Sequence, residues 1–116
     1  MVTGADTAST LGSGDVDVYA TPAVVALCER AAVAAVGSTL SATETSVGVR
    51  IEIDHIAPTI PGLEVSATAK LRGIDGRRLK FDVEVTDRAG VVARVTHTRV
   101  VVDRDRFMHG ADARGG

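Results

Sequence analysis

Three stretches of this chain alternate between apolar and polar residues. From Val47 to His55 the odd positions are Val47, Val49, Ile51, Ile53 and His55, and the even ones are Gly48, Arg50, Glu52 and Asp54. Leu63, Val65, Ala67, Ala69 and Leu71 repeat the pattern against Glu64, Ser66, Thr68, Lys70 and Arg72. Leu79, Phe81, Val83 and Val85 do so again against Lys80, Asp82, Glu84 and Thr86. A period of two is that of a strand with one buried face. Asp75-Gly76, between the second and third runs, predicts a tight two-residue hairpin. "TDRAG" then turns the chain into a fourth strand, Val91 to about Val102.

One stretch has no such alternation. Thr21 is a good N-cap, since its hydroxyl can accept from an orphan backbone N–H. Pro22 suits the first helical position. The predicted helix runs to about Val36, with Gly37 as its stop. Val24, Val25, Leu27, Cys28, Ala31, Ala32, Ala35 and Val36 leave it little polar face. A helix apolar on nearly all sides is usually buried. The expected fold class is therefore α+β: one long apolar helix wrapped by a curved antiparallel β-sheet.

Length bounds this picture to one domain, at 116 residues. Residues 1–17, rich in Gly, Ser, Thr and Asp, read as a flexible N-terminal arm or lid segment. The domain then spans 18–108, and 109–116 reads as a disordered tail. The net charge of −2 and the lack of a basic cluster argue against nucleic acid. Cys28 is the only cysteine, which gives neither a disulfide framework nor metal-ligand spacing. No signal peptide is visible, and no apolar run is read as approaching the ~20 residues that span a bilayer. A cytoplasmic protein without metal, redox cofactor or membrane is expected.

Two titratable residues then stand out. His55 ends an apolar row, so it points to the interior that the helix fills, and Glu29 lies on that helix. A buried ionised carboxylate is costly unless paired or hydrogen-bonded. Glu29 and His55 could satisfy each other or hold a water. Each also has an ordinary explanation: His55 as a satisfied core or strand-end residue, Glu29 as a helix-edge residue beside Arg30, Thr21 as a plain cap. Cys28 reads as a small core residue, and His97, in a strand apolar on both faces, as structural.

The motifs "YATPAVVALCERAA", "TSVGVRIEIDHIAPTIPGLEV", "GRRLKF" and "THTRVVVDRDRF" resemble the fluoroacetyl-CoA thioesterase-like branch of the hotdog-fold superfamily. The likeness covers roughly Leu11 to Phe107. That family has a catalytic threonine before the helix, a glutamate eight positions on and a histidine 26 positions beyond that. Thr21, Glu29 and His55 stand at those places, and Gly48 matches a glycine lining the acyl site. The resemblance implies hydrolysis of an acyl-CoA thioester by a homodimer or a dimer of dimers. Glu29 would be nucleophile or base, His55 acid/base, and Thr21 an orienting hydroxyl or itself the nucleophile. A carboxylate in an apolar pocket becomes more basic, and a nearby histidine moves protons near neutral pH.

Eight residues of ideal helix rise about 12 Å. If the helix begins at Pro22, Thr21 and Glu29 of one chain cannot touch. Either the helix starts later, or the two flank opposite ends of the substrate, or one comes from a partner subunit. The last is natural for hotdog proteins, whose sites lie at dimer interfaces. The fluoroacetyl-specific enzyme also has lid phenylalanines before the helix, where this chain has Gly12 and Asp15 in "LGSGDVDV". A dedicated fluoroacetyl-CoA substrate is therefore not expected. "MVTGADTAS" is also too short for the family's usual first strand. The alternatives are a non-catalytic hotdog protein binding an acyl-CoA or small apolar metabolite and, less well supported, an enoyl-CoA hydratase.

Overall fold

The computed structural model describes residues 1–116. Four strands, β1 (Glu44–His55), β2 (Ser66–Asp75), β3 (Arg78–Asp87) and β4 (Gly90–Asp103), form one antiparallel sheet ordered β1-β4-β3-β2. The helix α2 (Thr21–Val36) lies on one face of it. Val24, Cys28, Ala32 and Val36, spaced four apart, form the buried stripe of that helix. They meet Leu79, Phe81, Val83 and Val85 of β3 and Ala93, Val95 and Val101 of β4. Each buried valine or phenylalanine contributes about 1.5–3 kcal/mol. Cys28 and Ala32 are short enough to bring the helix close to the sheet. The α+β expectation holds.

The curved sheet packs along one side of the helix, as expected, and the other side of α2 is open, with Val33 46% exposed. Thr21–Thr39 is in fact long and apolar enough for a membrane span by length and composition, contrary to the reading of the sequence. Its buried stripe nevertheless belongs to the core of this domain.

The alternation in β1 also breaks. Gly48 pairs with Arg99, but Arg50 pairs with Thr98, which leaves Val49 as the extra residue of a β-bulge. The row facing the helix is therefore Ser46, Gly48, Ile51, Ile53 and His55, opposite Val101, Arg99, His97, Val95 and Ala93. Val47 and Val49, expected inside, fall outside this row, and Val49 is 51% exposed. The β2–β3 hairpin also sits one residue later than Asp75-Gly76, because Asp75 still pairs with Arg78. Gly76 (φ 60°) and Arg77 make the turn, with glycine at the position needing positive φ.

Both ends are folded. Val2 is buried, its N–H donating to Leu63 O (2.8 Å) and its carbonyl accepting from Gly62 N (2.8 Å). This strand-like contact stands where the family's first strand was expected to be missing. A 3-10 turn at Gly4–Asp6 and the short helix α1 (Ala8–Leu11) follow, where a flexible arm was expected. The tail, expected to be disordered, lies in helix α3 (Arg104–Gly115) up to Gly115, capped by Asp103 and wholly exposed.

Candidate active site

Thr21 is not the cap of α2. Ala20 is, with no side-chain bond, and the first turn is held by backbone. Tyr19 N donates to Thr59 O (2.8 Å) and Ala20 N to Asp6 O (2.8 Å), which fixes the chain as it enters the helix. Pro22 in the first turn removes one donor that a cap would otherwise serve. The Thr21 hydroxyl is thereby free for another partner. Its Oγ1 lies 2.8 Å from His55 Nδ1 at the end of β1.

Burial pushes the His55 pKa below the ordinary 6.5, against a smaller upward pull from the Ala57 backbone. The ring therefore stays neutral further into acid. Its other nitrogen, Nε2, is buried and has no hydrogen-bond partner within the chain. Beside it lies a shallow depression of about 260 Å³, walled by Val18, His55, Ile56, Ala57 and Pro58. The depression offers an apolar surface next to a hydroxyl–imidazole pair.

Glu29 sits two turns further along α2, half-buried rather than interior. Its Oε2 lies 3.4 Å from Arg99 Nη1. Arg99 is buried and fully engaged: Nε donates to Ser46 Oγ (2.8 Å), Nη2 to Ser46 O (2.8 Å), and Nη1 lies 3.2 Å from His97 Nε2. His97 Nδ1 lies 2.8 Å from Arg50 O. A carbonyl only accepts and a guanidinium only donates, so His97 carries its proton on Nδ1 and its lone pair on Nε2. A Cβ on Gly48 would stand 2.7 Å from Glu29 Oε2, 3.2 Å from His97 Cε1 and 3.3 Å from Arg99 Nη1. Only the bare backbone of glycine lets the carboxylate lie against β1. An open cleft of about 430 Å³ adjoins Glu29, bounded by Ala26, Arg30, Val33, Ala34 and Arg99.

The chain thus joins Thr21 with His55, and Glu29 with Gly48, but does not bring the two pairs together. About 12 Å of helix separates Thr21 from Glu29, and roughly 20 Å of strand separates Gly48 from His55. The expectation that Glu29 and His55 satisfy each other is corrected: each has another partner. Ser46, His97 and Arg99 were missed as site residues. The polar row Arg94, Thr96 and Thr98 could have shown that the odd row of β4 faces inward. Cys28 is the buried core residue expected, its thiol pushed up to about 11 by burial and, secondarily, by the charge of Glu29. The larger depression, about 580 Å³, lies on the polar sheet face among Glu52, Asp54, Lys70, Glu84 and Arg94, away from both pairs.

Upstream, Gly12 ends α1 in the left-handed conformation (φ 76°), donating its N–H to Ala8 O, and Asp15 is exposed. An aromatic side chain at position 12 would strain that cap.

The profile of the fluoroacetyl-CoA-specific thioesterase family matches residues 2–105. The fluoroacetyl-CoA thioesterase of Streptantibioticus cattleyicolor is 40% identical over 91 residues, 78% of this chain and 66%, just under two thirds, of that protein's length. A crystal structure of a phenylalanine-to-alanine mutant of the fluoroacetyl-CoA-specific thioesterase FlK has a TM-score of 0.91 at 33% identity, covering 97% of this chain and 88% of that one. A hot-dog-like protein from Thermanaerovibrio acidaminovorans has 0.90 at 28% identity, covering 99% and 85%. In fold alone, a Thermus thermophilus hypothetical protein, a thioesterase superfamily member, has 0.92 at 24% identity, covering 99% and 85%. With the hotdog arrangement of helix and sheet, these matches place the chain in the fluoroacetyl-CoA-specific thioesterase family.

Proposed function

We propose that this protein hydrolyses the thioester of a small acyl-CoA, without dedication to fluoroacetyl-CoA, as a cytoplasmic homodimer. Water adds across the thioester to give a carboxylic acid and the free thiol of coenzyme A. The observation that carries this reading is the Thr21–His55 hydrogen bond beside an apolar depression. A neutral imidazole bonded to a hydroxyl is the arrangement of a nucleophile with its base. Thr21 Oγ1 attacks the thioester carbonyl as His55 takes its proton and returns it to the departing thiolate. Water, deprotonated by His55, then cleaves the resulting acyl-Thr21 ester, releasing the acid and restoring the hydroxyl. When Nδ1 accepts from Thr21, Nε2 carries the ring proton and needs an acceptor. Glu29 of the same chain is too far along the helix to provide it. Glu29 of the partner subunit is the carboxylate that completes the series, so each site draws on both chains. Gly48 gives that carboxylate its place.

The absence of fluorine selectivity is supported by Gly12 and Asp15, which present no aromatic lid. The test is to incubate the protein with short, branched, aromatic and fluorinated acyl-CoAs and follow thiol release, then repeat with Thr21→Ala, Glu29→Gln and His55→Ala. Undiminished turnover in Glu29→Gln would reject the assignment. The exposed segment Gly12–Asp17 favours a second reading, an acyl-CoA-binding protein without catalysis, because nothing bulky covers the site. Binding of acyl-CoA with no thiol release from the native chain would establish it.

A further inference from the structure

Arg99 is a buried cation whose partners are all fixed by the fold. Ser46, on the helix-facing row of β1, takes two of its donors through Oγ and the backbone carbonyl. His97, with its tautomer set by Arg50 O, presents a lone pair to Nη1. The one carboxylate that Arg99 meets is that of Glu29, through Oε2 only. Gly48 closes off the strand side of that oxygen.

We propose that Arg99 is a positioning residue: anchored by Ser46 and His97, it fixes one oxygen of the Glu29 carboxylate and leaves the other for the reaction. The inference rests on the reading of Glu29 as part of the active site. A guanidinium suits this task because its planar fork holds several partners at set angles, whereas an ammonium is a point charge. The charged or titratable groups around Glu29 are Arg99 and His97 on β4 and Arg30 and Cys28 on its own helix, with none from Gly48 on β1. Arg99 is the cation paired with it.

The test compares Arg99→Met, Arg99→Lys, Ser46→Ala and Glu29→Gln. Two quantities are read separately: kcat and KM on a turned-over acyl-CoA. In Arg99→Met, kcat is expected to fall about tenfold or more, with KM changed less than about threefold. Arg99→Lys, which keeps the charge but loses the planar fork, recovers only part of kcat. Ser46→Ala, which loosens one anchor, gives a smaller loss of kcat and decides the matter if Arg99→Met does not fold. Native kcat in folded Arg99→Met, or a loss confined to KM, overturns the inference. In Ser46→Ala, native kcat does the same. Native turnover in Glu29→Gln instead overturns the catalytic reading beneath it, whatever the Arg99 variants do.

Discussion

Thr21 and His55, 34 residues apart in the chain, are joined by a 2.8 Å hydrogen bond between Oγ1 and Nδ1. The bond exists because the backbone before α2 is tied to Asp6 and Thr59, which frees the threonine hydroxyl from capping. Replacing Thr21 by alanine should therefore cost activity more than stability. Turnover is expected to fall by about 10²–10⁴, the range for a lost proton-transfer partner. Thr21→Ser should keep much of it. Equal loss in the two variants by a thiol-release assay would count against the hydroxyl.

The imidazole of His55 gives two linked pH dependences. Its folded pKa lies below 6.5 through burial, so the neutral, proton-accepting form outlasts that of a free histidine. The acid limb of kcat/KM should accordingly lie below pH 6.5. Stability moves the other way. Above 6.5 both folded and unfolded forms are neutral and His55 adds no slope. As pH drops through 6.5, the unfolded chain binds a proton that the folded chain refuses, so the urea midpoint falls. His55→Gln should flatten that part of the curve.

Gly48→Ala places a methyl group 2.7 Å from Glu29 Oε2. The helix side chain can swing toward the open cleft, so the fold should survive at a cost of about 1–3 kcal/mol for overpacking. Catalysis should suffer more, by about tenfold or more, as an intact carboxylate moves off its seat. Denaturant melts alongside turnover separate the two effects.

A site built from two chains makes a prediction that a single-chain site does not. Glu29→Gln and His55→Ala, each inactive alone, should complement when mixed and refolded. Half the randomly formed dimers are mixed, and one of their two sites is whole, so about a quarter of native activity should return. No recovery, in samples shown by sedimentation to be dimers, would place each site within one chain.

Cys28 should be silent. Its thiol is buried in the helix stripe and pushed up to about 11, so DTNB at pH 8 should label it only after unfolding. Labelling of the folded protein would mean that α2 lifts off the sheet.

The period of two in β1, β2 and β3, the turn into β4 and the apolar run from Pro22 to Val36 were enough to read four strands and a helix. Residues at the site were harder to place. The alternation from Val47 to His55 runs through Val49 without a break, so nothing in the one sequence marks the bulge, and Gly48 was read on the outer face. Thr21 looks like a cap because caps are set by local chemistry, whereas here two distant backbone contacts relieve it of that role. Arg99 was passed over because the apolar ends of β4, on both faces, mask the short polar row Arg94, Thr96 and Thr98 that marks its outer side.

The bulge at Val49 has a further effect on the edge of the sheet. Gly48 and His55 are an odd number of residues apart, and in an unbroken strand they would look to opposite sides. The extra residue turns both toward α2, and it also divides the free edge of β1 into two short segments, 44–48 and 50–55. An incoming strand can keep step with one segment or the other, but not with both. Promiscuous edge-to-edge growth into filaments is disfavoured, while a single, finite pairing is left open.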